Sequence, residues 1–176
     1  GEFKKFVVID AKGERPVKGV DGDEPAVTMT FRTPGLVVFA HYSTPDTLVM
    51  EWNLFTHYLR LEGLTGIEQR HKAANKPMTK IKEIYSRCAK LLMSVGPGGG
   101  ADRFTGMPLE LVAEKNPFAL APGEPLPVRL LRDGKPLADI QIAAINKAEP
   151  DKRLTVRTDA DGRASLDLTS PGPWLL

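Results

Sequence analysis

The chain is poor in the features that announce most chemistries. Its 176 residues contain a single cysteine, Cys88, so no internal disulfide closes and no disulfide framework holds the fold. No apolar run reaches the 18 residues that a spanning helix needs. The first residues do not pass from a basic stretch into an apolar one, as a signal segment would. An excess of one charge is missing too: 24 Lys and Arg stand against 22 Asp and Glu, for a net +2. So close a balance projects no strong field, and nucleic acid is not an expected partner. There is no Gly-x-Ser-x-Gly elbow for a hydrolase nucleophile. The three histidines, His41, His57 and His71, are never four apart, so no helix face presents a ready pair of metal ligands.

What remains is ordinary globular material rich in turns. Apolar residues make up 41% and charged residues 26%, enough to build a core and too apolar for general disorder. Sixteen Gly and fifteen Pro favour many short strands over long helices.

Three zones differ in texture. In the first, Phe6-Val7-Val8-Ile9 reads as a strand that ends in the turn Asp10-Ala11-Lys12-Gly13. A second turn, acidic, follows at residues 20–25. Val27, Met29 and Phe31 alternate as on one face of a strand, and Pro34-Gly35 turns the chain into an apolar strand from Leu36 to Tyr42. A hairpin of those two strands is the simplest reading.

The second zone, from Glu51, changes period. Trp52, Phe55 and Leu59 recur at helical spacing, widened by Tyr58 and Leu61. Gly63 stands where a helix C-terminus takes a left-handed residue. Thr65, with Glu68 three residues on, predicts a capping box for a second helix. After the break at Pro77, Ile81, Ile84, Tyr85 and Cys88 again have helical spacing. From Ala89 the tail reads as a strand with Leu91, Met93 and Val95 inward.

Gly96-Pro97-Gly98-Gly99-Gly100 reads as a linker. Beyond it the sequence is β throughout. Asp133-Gly134 is a strong hairpin signal, because both central residues tolerate positive φ, and Asp159-Ala160-Asp161-Gly162 predicts a second hairpin. Turns at this spacing describe an immunoglobulin-like sandwich. The chain stops at Trp174-Leu175-Leu176 in what reads as mid-strand, so a further strand is expected after it.

Each residue with chemical potential has a bland reading that outweighs the sharp one. The glycine run lacks the Lys-Ser/Thr of a phosphate loop. Asp159 to Gly162 opens like a calcium loop, but Asp167 does not supply the late bidentate carboxylate, so a turn is expected. His41 reads as a strand residue, and His57 and His71 as helix-surface residues. Cys88 lies near Arg87 and Lys90, which would favour a thiolate, yet it sits in an apolar stripe. Eight basic residues against four acids between Glu51 and Val95 read as a solvated face. Trp52, Phe55 and Tyr58 read as a docking face.

Taken in order, several motifs form a pattern. Phe55-Thr-His-Tyr-Leu-Arg-Leu-Glu-Gly-Leu64, Tyr85-Ser-Arg-Cys-Ala-Lys-Leu-Leu92 with Gly96, Pro108-Leu-Glu-Leu-Val112 and Asn116-Pro-Phe118 come first. Leu120-Ala-Pro-Gly-Glu124, Pro127-Val-Arg-Leu-Leu131, Gly134-Lys-Pro-Leu137 and Thr158-Asp-Ala-Asp-Gly162 follow. The series resembles a family of exported bacterial proteins catalogued as a domain of unknown function and often labelled NikM-like, after a nickel-transport accessory subunit. The resemblance runs from about Gly19 to Trp174. It implies a periplasmic protein with β-sandwich domains and a role near transition-metal uptake, with nickel, cobalt, copper or zinc as the ion and a membrane transporter or envelope protein as partner. Relatives are expected to carry His-containing segments beyond both ends of this chain, so the resemblance transfers no metal ligand to a residue here. A glycosidase-like label borne by some relatives finds no support in the residues.

The expectation is therefore a mainly β protein of two immunoglobulin-like β-sandwich domains, 1–95 and 102–176, joined by a Gly-rich linker at 96–101, with a helical insertion at about 51–88. It is expected to be a non-catalytic extracytoplasmic binding or accessory protein, with no catalytic residues and no membrane span. The alternative is a structural protein-interaction module of the cell envelope without a small ligand.

Overall fold

A computed structural model describes residues 2–20 and 22–176. Asp21, within the acidic turn expected at 20–25, and Gly1 lie outside the described residues. The chain divides into two compact units: Gly1–Thr44 with Arg87–Leu176, and Pro45–Ser86. Both sides of the glycine run belong to the first unit. The fold is mainly β, in several antiparallel sheets of which none closes.

The first unit begins with β1 (Phe3–Asp10), β2 (Gly13–Pro16) and β3 (Gly35–Ser43). The second unit follows, with β4 (Asp46–Met50), α1 (Trp52–Leu61), α2 (Ile67–Ala73) and β5 (Ile81–Tyr85). The first unit then resumes with β6 (Cys88–Val95), β7 (Leu109–Ala113), β8 (Leu126–Arg132), β9 (Lys135–Pro136) and β10 (Gln141–Asn146). It ends with β11 (Arg153–Arg157), β12 (Arg163–Leu166) and β13 (Trp174–Leu175).

In the first sheet the order is β2-β1-β3-β6. The turn after β1 is the expected one: Asp10 pairs with Gly13, and Asp10 Oδ1 accepts the Lys12 amide at 2.8 Å. Arg15 then clamps the same carboxylate through two 2.8 Å bonds, which holds the Asp10 carboxyl below its usual range because a paired cation favours the charged form. β3 lies between β1 and β6, with Phe6 opposite His41 and Tyr42 opposite Cys88.

That arrangement overturns the hairpin expected before β3. Residues 27–31 form no strand, because β1 and β6 already occupy both edges of β3. Phe31 instead lays its ring edge-on to Phe39, with centroids 5.8 Å apart. The glycine run is laid along the start of β3: Leu36 N donates to Gly99 O at 3.1 Å. A Cβ on Gly98 would lie 2.2 Å from Gly35 N, so only glycine fits that approach.

The facing of β6 departs from expectation at Leu91, while Met93 and Val95 are half-buried. Leu91 is 55% exposed, whereas Leu92 packs into the core and Lys90 points inward with it. Hydropathy places a lysine outside; here buried carboxylates hold it inside.

Two further sheets complete the unit, ordered β12-β8-β7 (with β9 on β8) and β11-β10-β13. Strands of both feed one core: Leu126 and Val128 from β8, Ile142 and Ala144 from β10, and Leu166 from β12. The Asp133-Gly134 hairpin forms as expected, with φ of +50° and +75°. The expected second hairpin does not. Its turn is present, but β11 pairs with β10 and β12 pairs with β8, so the chain crosses from one sheet to another there. Asp159 Oδ1 accepts the Asp161 and Arg163 amides at 2.9 and 2.8 Å. Gly162 is required for contact: a Cβ would sit 2.6 Å from Leu130 O, beside the 2.7 Å bond from Leu130 N to Gly162 O.

In the second unit, α1 forms as its spacing predicts, burying Phe55 and Leu59. Gly63 takes a left-handed φ of +64° after it. Thr65 does not cap α2. Gly66, at φ +78°, is the N-cap and no side chain caps that end, because Thr65 N turns back to Gly63 O at 3.0 Å and the helix starts later. The helix expected from Ile81 is the strand β5, paired with β4 in the register Met50–Ile81 to Asp46–Tyr85. Ile81 is buried whereas Ile84 is 71% exposed, which is the alternation of a half-covered strand.

Candidate functional site

The residues with metal-ligand chemistry stay apart. His41 lies on β3, its ring edge-on to Phe3 and Phe6 at 5.0 and 5.9 Å. Cys88, on β6, packs against the small cluster of Val7, Ala40 and Met107. In the second unit His57 is exposed on α1. His71, expected at the surface, is half-buried between Trp52 and Phe55, with ring centroids 5.3 and 5.6 Å away. Its Nε2 donates to Pro77 O at 2.8 Å. Among the described residues no three His, Cys, Asp or Glu side chains gather as a metal site. The carboxylate of Asp159, the candidate calcium residue, is engaged in its own turn.

Two constellations were not read from the sequence. The first is a buried charge cluster in the first unit. Lys90 Nζ lies 3.0 Å from Asp102 Oδ1 and 2.5 Å from Glu110 Oε1, and the three side chains are 8%, 1% and 0% exposed. Lys90 also donates to Arg103 O at 3.0 Å. The remaining carboxylate capacity is filled by backbone. Glu110 accepts the amides of Thr105 (2.8 and 3.0 Å) and Met107 (3.1 Å). Asp102 accepts those of Arg103 (2.7 Å) and Ala113 (2.8 Å). Each charge is thus paired and hydrogen-bonded, which is the condition for burying it. The cluster pins the irregular segment 101–108 between β6 and β7. Its one signal in the sequence is a lysine inside an apolar strand, and its partners come 12 and 20 residues later in the chain.

The second is a groove of about 380 Å3 in the second unit. Its floor is apolar: Phe55 and Leu59 from α1, Leu64, and Ile67 from α2. Lys76, Lys80, Lys82 and Glu83 also contribute to its lining. Glu83 is engaged with the Tyr58 hydroxyl; burial foremost, and then the nearby Glu83 charge, raises the Tyr58 pKa. Trp52, Phe55 and Tyr58 are therefore not a free docking face. Phe55 is 8% exposed, and the other two pack on the cluster of Met50, Leu59 and Ile81.

No curated protein and no solved structure matches the chain. A match does come from the family described as a domain of unknown function, DUF4198, and it extends over residues 1–176. With the whole chain covered, this protein belongs to the DUF4198 family.

Proposed function

We propose that this chain is a non-catalytic binding or accessory protein of the periplasmic, or otherwise extracytoplasmic, space, working in uptake or handling of a transition metal of the nickel or cobalt type. The observation that carries the reading is the serial order of motifs from Phe55 to Gly162, which resembles the NikM-like proteins, in a chain matched by DUF4198 over its full length. An immunoglobulin-like arrangement of the later strands is part of the same reading, supported by the core that two sheets share. The ion is cargo, and imidazole and thiolate suit nickel, cobalt, copper and zinc. Because His41, His57, His71 and Cys88 do not gather, the reading gives these residues the scaffold's role toward a membrane transporter or envelope partner.

The test is calorimetric titration with each of the four ions, on residues 1–176 and on a version extended at both ends by its natural sequence. Binding by the extended version alone is the expected result. Silence in both overturns the reading, and equal binding by residues 1–176 overturns the scaffold role.

A second reading, an envelope interaction module without a small ligand, is favoured by the bare outer face of β4 and β5. Val49 is 56% and Ile84 71% exposed there. Capture of a purified envelope partner that is lost in Val49→Asp/Ile84→Asp, in a protein indifferent to metal, would decide for it.

A further inference from the structure

We propose that the buried cluster of the first unit is a self-modification site, in which the Lys90 side chain condenses with that of Asp102 to an isopeptide bond and Glu110 carries the protons. The reaction is independent of metal handling. Its reacting atoms already stand together: Lys90 Nζ is 3.0 Å from Asp102 Oδ1 and 3.2 Å from Oδ2. A nitrogen so nearly equidistant from both oxygens lies within about 3.5 Å of the carbon they share, the separation of a near-attack conformer. Water is kept from the pair, whose side chains are 8% and 1% exposed.

The third group supplies the proton path. Glu110 Oε1 lies 2.5 Å from the same Nζ, on a side chain that is 0% exposed. An ammonium is no nucleophile until it gives up a proton, and Glu110 is the base within reach to take it. The amides of Thr105 and Met107 fix that carboxylate in place. Away from water, a neutral amine beside a neutral acid is far closer in energy to the ion pair than it is in solution. Nζ then adds to Asp102 Cγ. The N–C bond forms, one C–O bond breaks, and the departing oxygen takes two protons from Nζ by way of Glu110 and leaves as water. The sum is ammonium plus carboxylate to amide plus water, with no co-reactant, and Glu110 ends as it began. The amides of Arg103 and Ala113, 2.7 and 2.8 Å from Oδ1 and Oδ2, face the charge that gathers on oxygen as the carbon becomes tetrahedral.

The composition of the cluster favours a reaction over a plain ion pair. One carboxylate is enough to pair a buried lysine, and a second beside it adds a further charge to desolvate. Here both converge on one Nζ, which the chemistry accounts for: one carboxylate is consumed and the other moves protons. Ala40, opposite Lys90 in the ladder and 0% exposed, brings only a methyl group to that face of the sheet. The bond would close the glycine run 96–100 into a loop between β6 and the segment 101–108. A chain with a single cysteine has no disulfide for that purpose, and an amide holds whatever the redox conditions.

The experiment is mass spectrometry of the whole chain, purified folded and then reduced and denatured. The expected mass is lower than the sequence requires by one water, about 18 Da. Trypsin locates the loss. An amidated Lys90 is no cleavage site, so residues 88–103 should appear as one peptide lacking water, with fragmentation placing the link between Lys90 and Asp102. Lys90→Arg keeps the positive charge but cannot condense in this way, and it should show its full sequence mass. Glu110→Gln nearly keeps the shape and should also show its full mass, in protein whose Trp174 fluorescence confirms the fold. Full mass with cleavage after Lys90 in the unsubstituted chain would overturn the proposal. So would the same water loss in Lys90→Arg or in folded Glu110→Gln, or a link from Lys90 to Glu110 instead of Asp102.

Discussion

The two units are held together by different means. The first joins strands distant in sequence into three sheets and buries a lysine with two carboxylates among them. The second is a stretch of roughly 40 residues, a length at which a lone hydrophobic core is barely sufficient. It rests on Met50, Phe55, Leu59 and Ile81 and leaves Leu54, Leu61 and Met78 about half exposed. The insertion also leaves its host almost undisturbed. It departs after Thr44 and returns at Arg87, where Ser43 N donates to Arg87 O and Arg87 N to Ser43 Oγ, both at 2.9 Å. The contrast teaches that a chain can carry a small second unit at the mouth of a strand pair whose own ladder is already closed.

Each unit holds one of the two tryptophans, Trp174 and Trp52, so the contrast can be tested unit by unit. The largest effect is expected from Lys90→Met. Removing one partner of a buried ion pair costs about 3–5 kcal/mol, and here it strands two carboxylates. In a Trp52→Phe background, urea unfolding followed at Trp174 should lose that much. In a Trp174→Phe background, the Trp52 transition should stay in place. Midpoints that move together would make the two units one cooperative block.

Leu59→Ala is the converse experiment. Emptying a buried leucine site costs about 2–5 kcal/mol, which in so small a core should melt the second unit's Trp52 signal near room temperature while Trp174 holds. A smaller change is expected on replacing residues 45–86 by Asn-Gly. The first unit should keep its urea stability within about 1 kcal/mol, because closure entropy changes slowly with loop length. The smallest effect concerns Asp10. Its folded pKa lies below the ordinary value near 3.8, so its contribution is present above that value and is lost as pH falls through the lowered one. Asp10→Asn should flatten the acid limb of Trp174-detected stability and leave the Trp52-detected limb unaltered.

Legibility in the sequence followed the range of the interactions. α1 could be read because Trp52, Phe55 and Leu59 carry their own periodicity, and the β8–β9 hairpin because Asp133-Gly134 sets its turn locally. β5 was misread because Ile81, Ile84, Tyr85 and Cys88 fit a helix as well as a strand, and the deciding partner, Met50, lies far back in the chain. Residues 27–31 look like a strand but find no free edge beside β3. The crossing after Asp159 has the turn chemistry of a hairpin, and sheet membership alone distinguishes the two. Lys90 was placed outside by its charge, and only the later arrival of Asp102 and Glu110 explains its burial. The groove was equally hidden, because its lining joins residues of α1, α2 and β5 that lie apart in the sequence.

The buried carboxylates leave a mark on the clock of proton exchange. Thr105 and Met107 belong to no strand, yet their amides, like that of Ala113, end on Glu110 or Asp102. An amide held by a buried anion is released only when that anion is uncovered. These loop protons should therefore persist in deuterium oxide as long as those of the central strands, and disappear with them when the first unit opens as a whole.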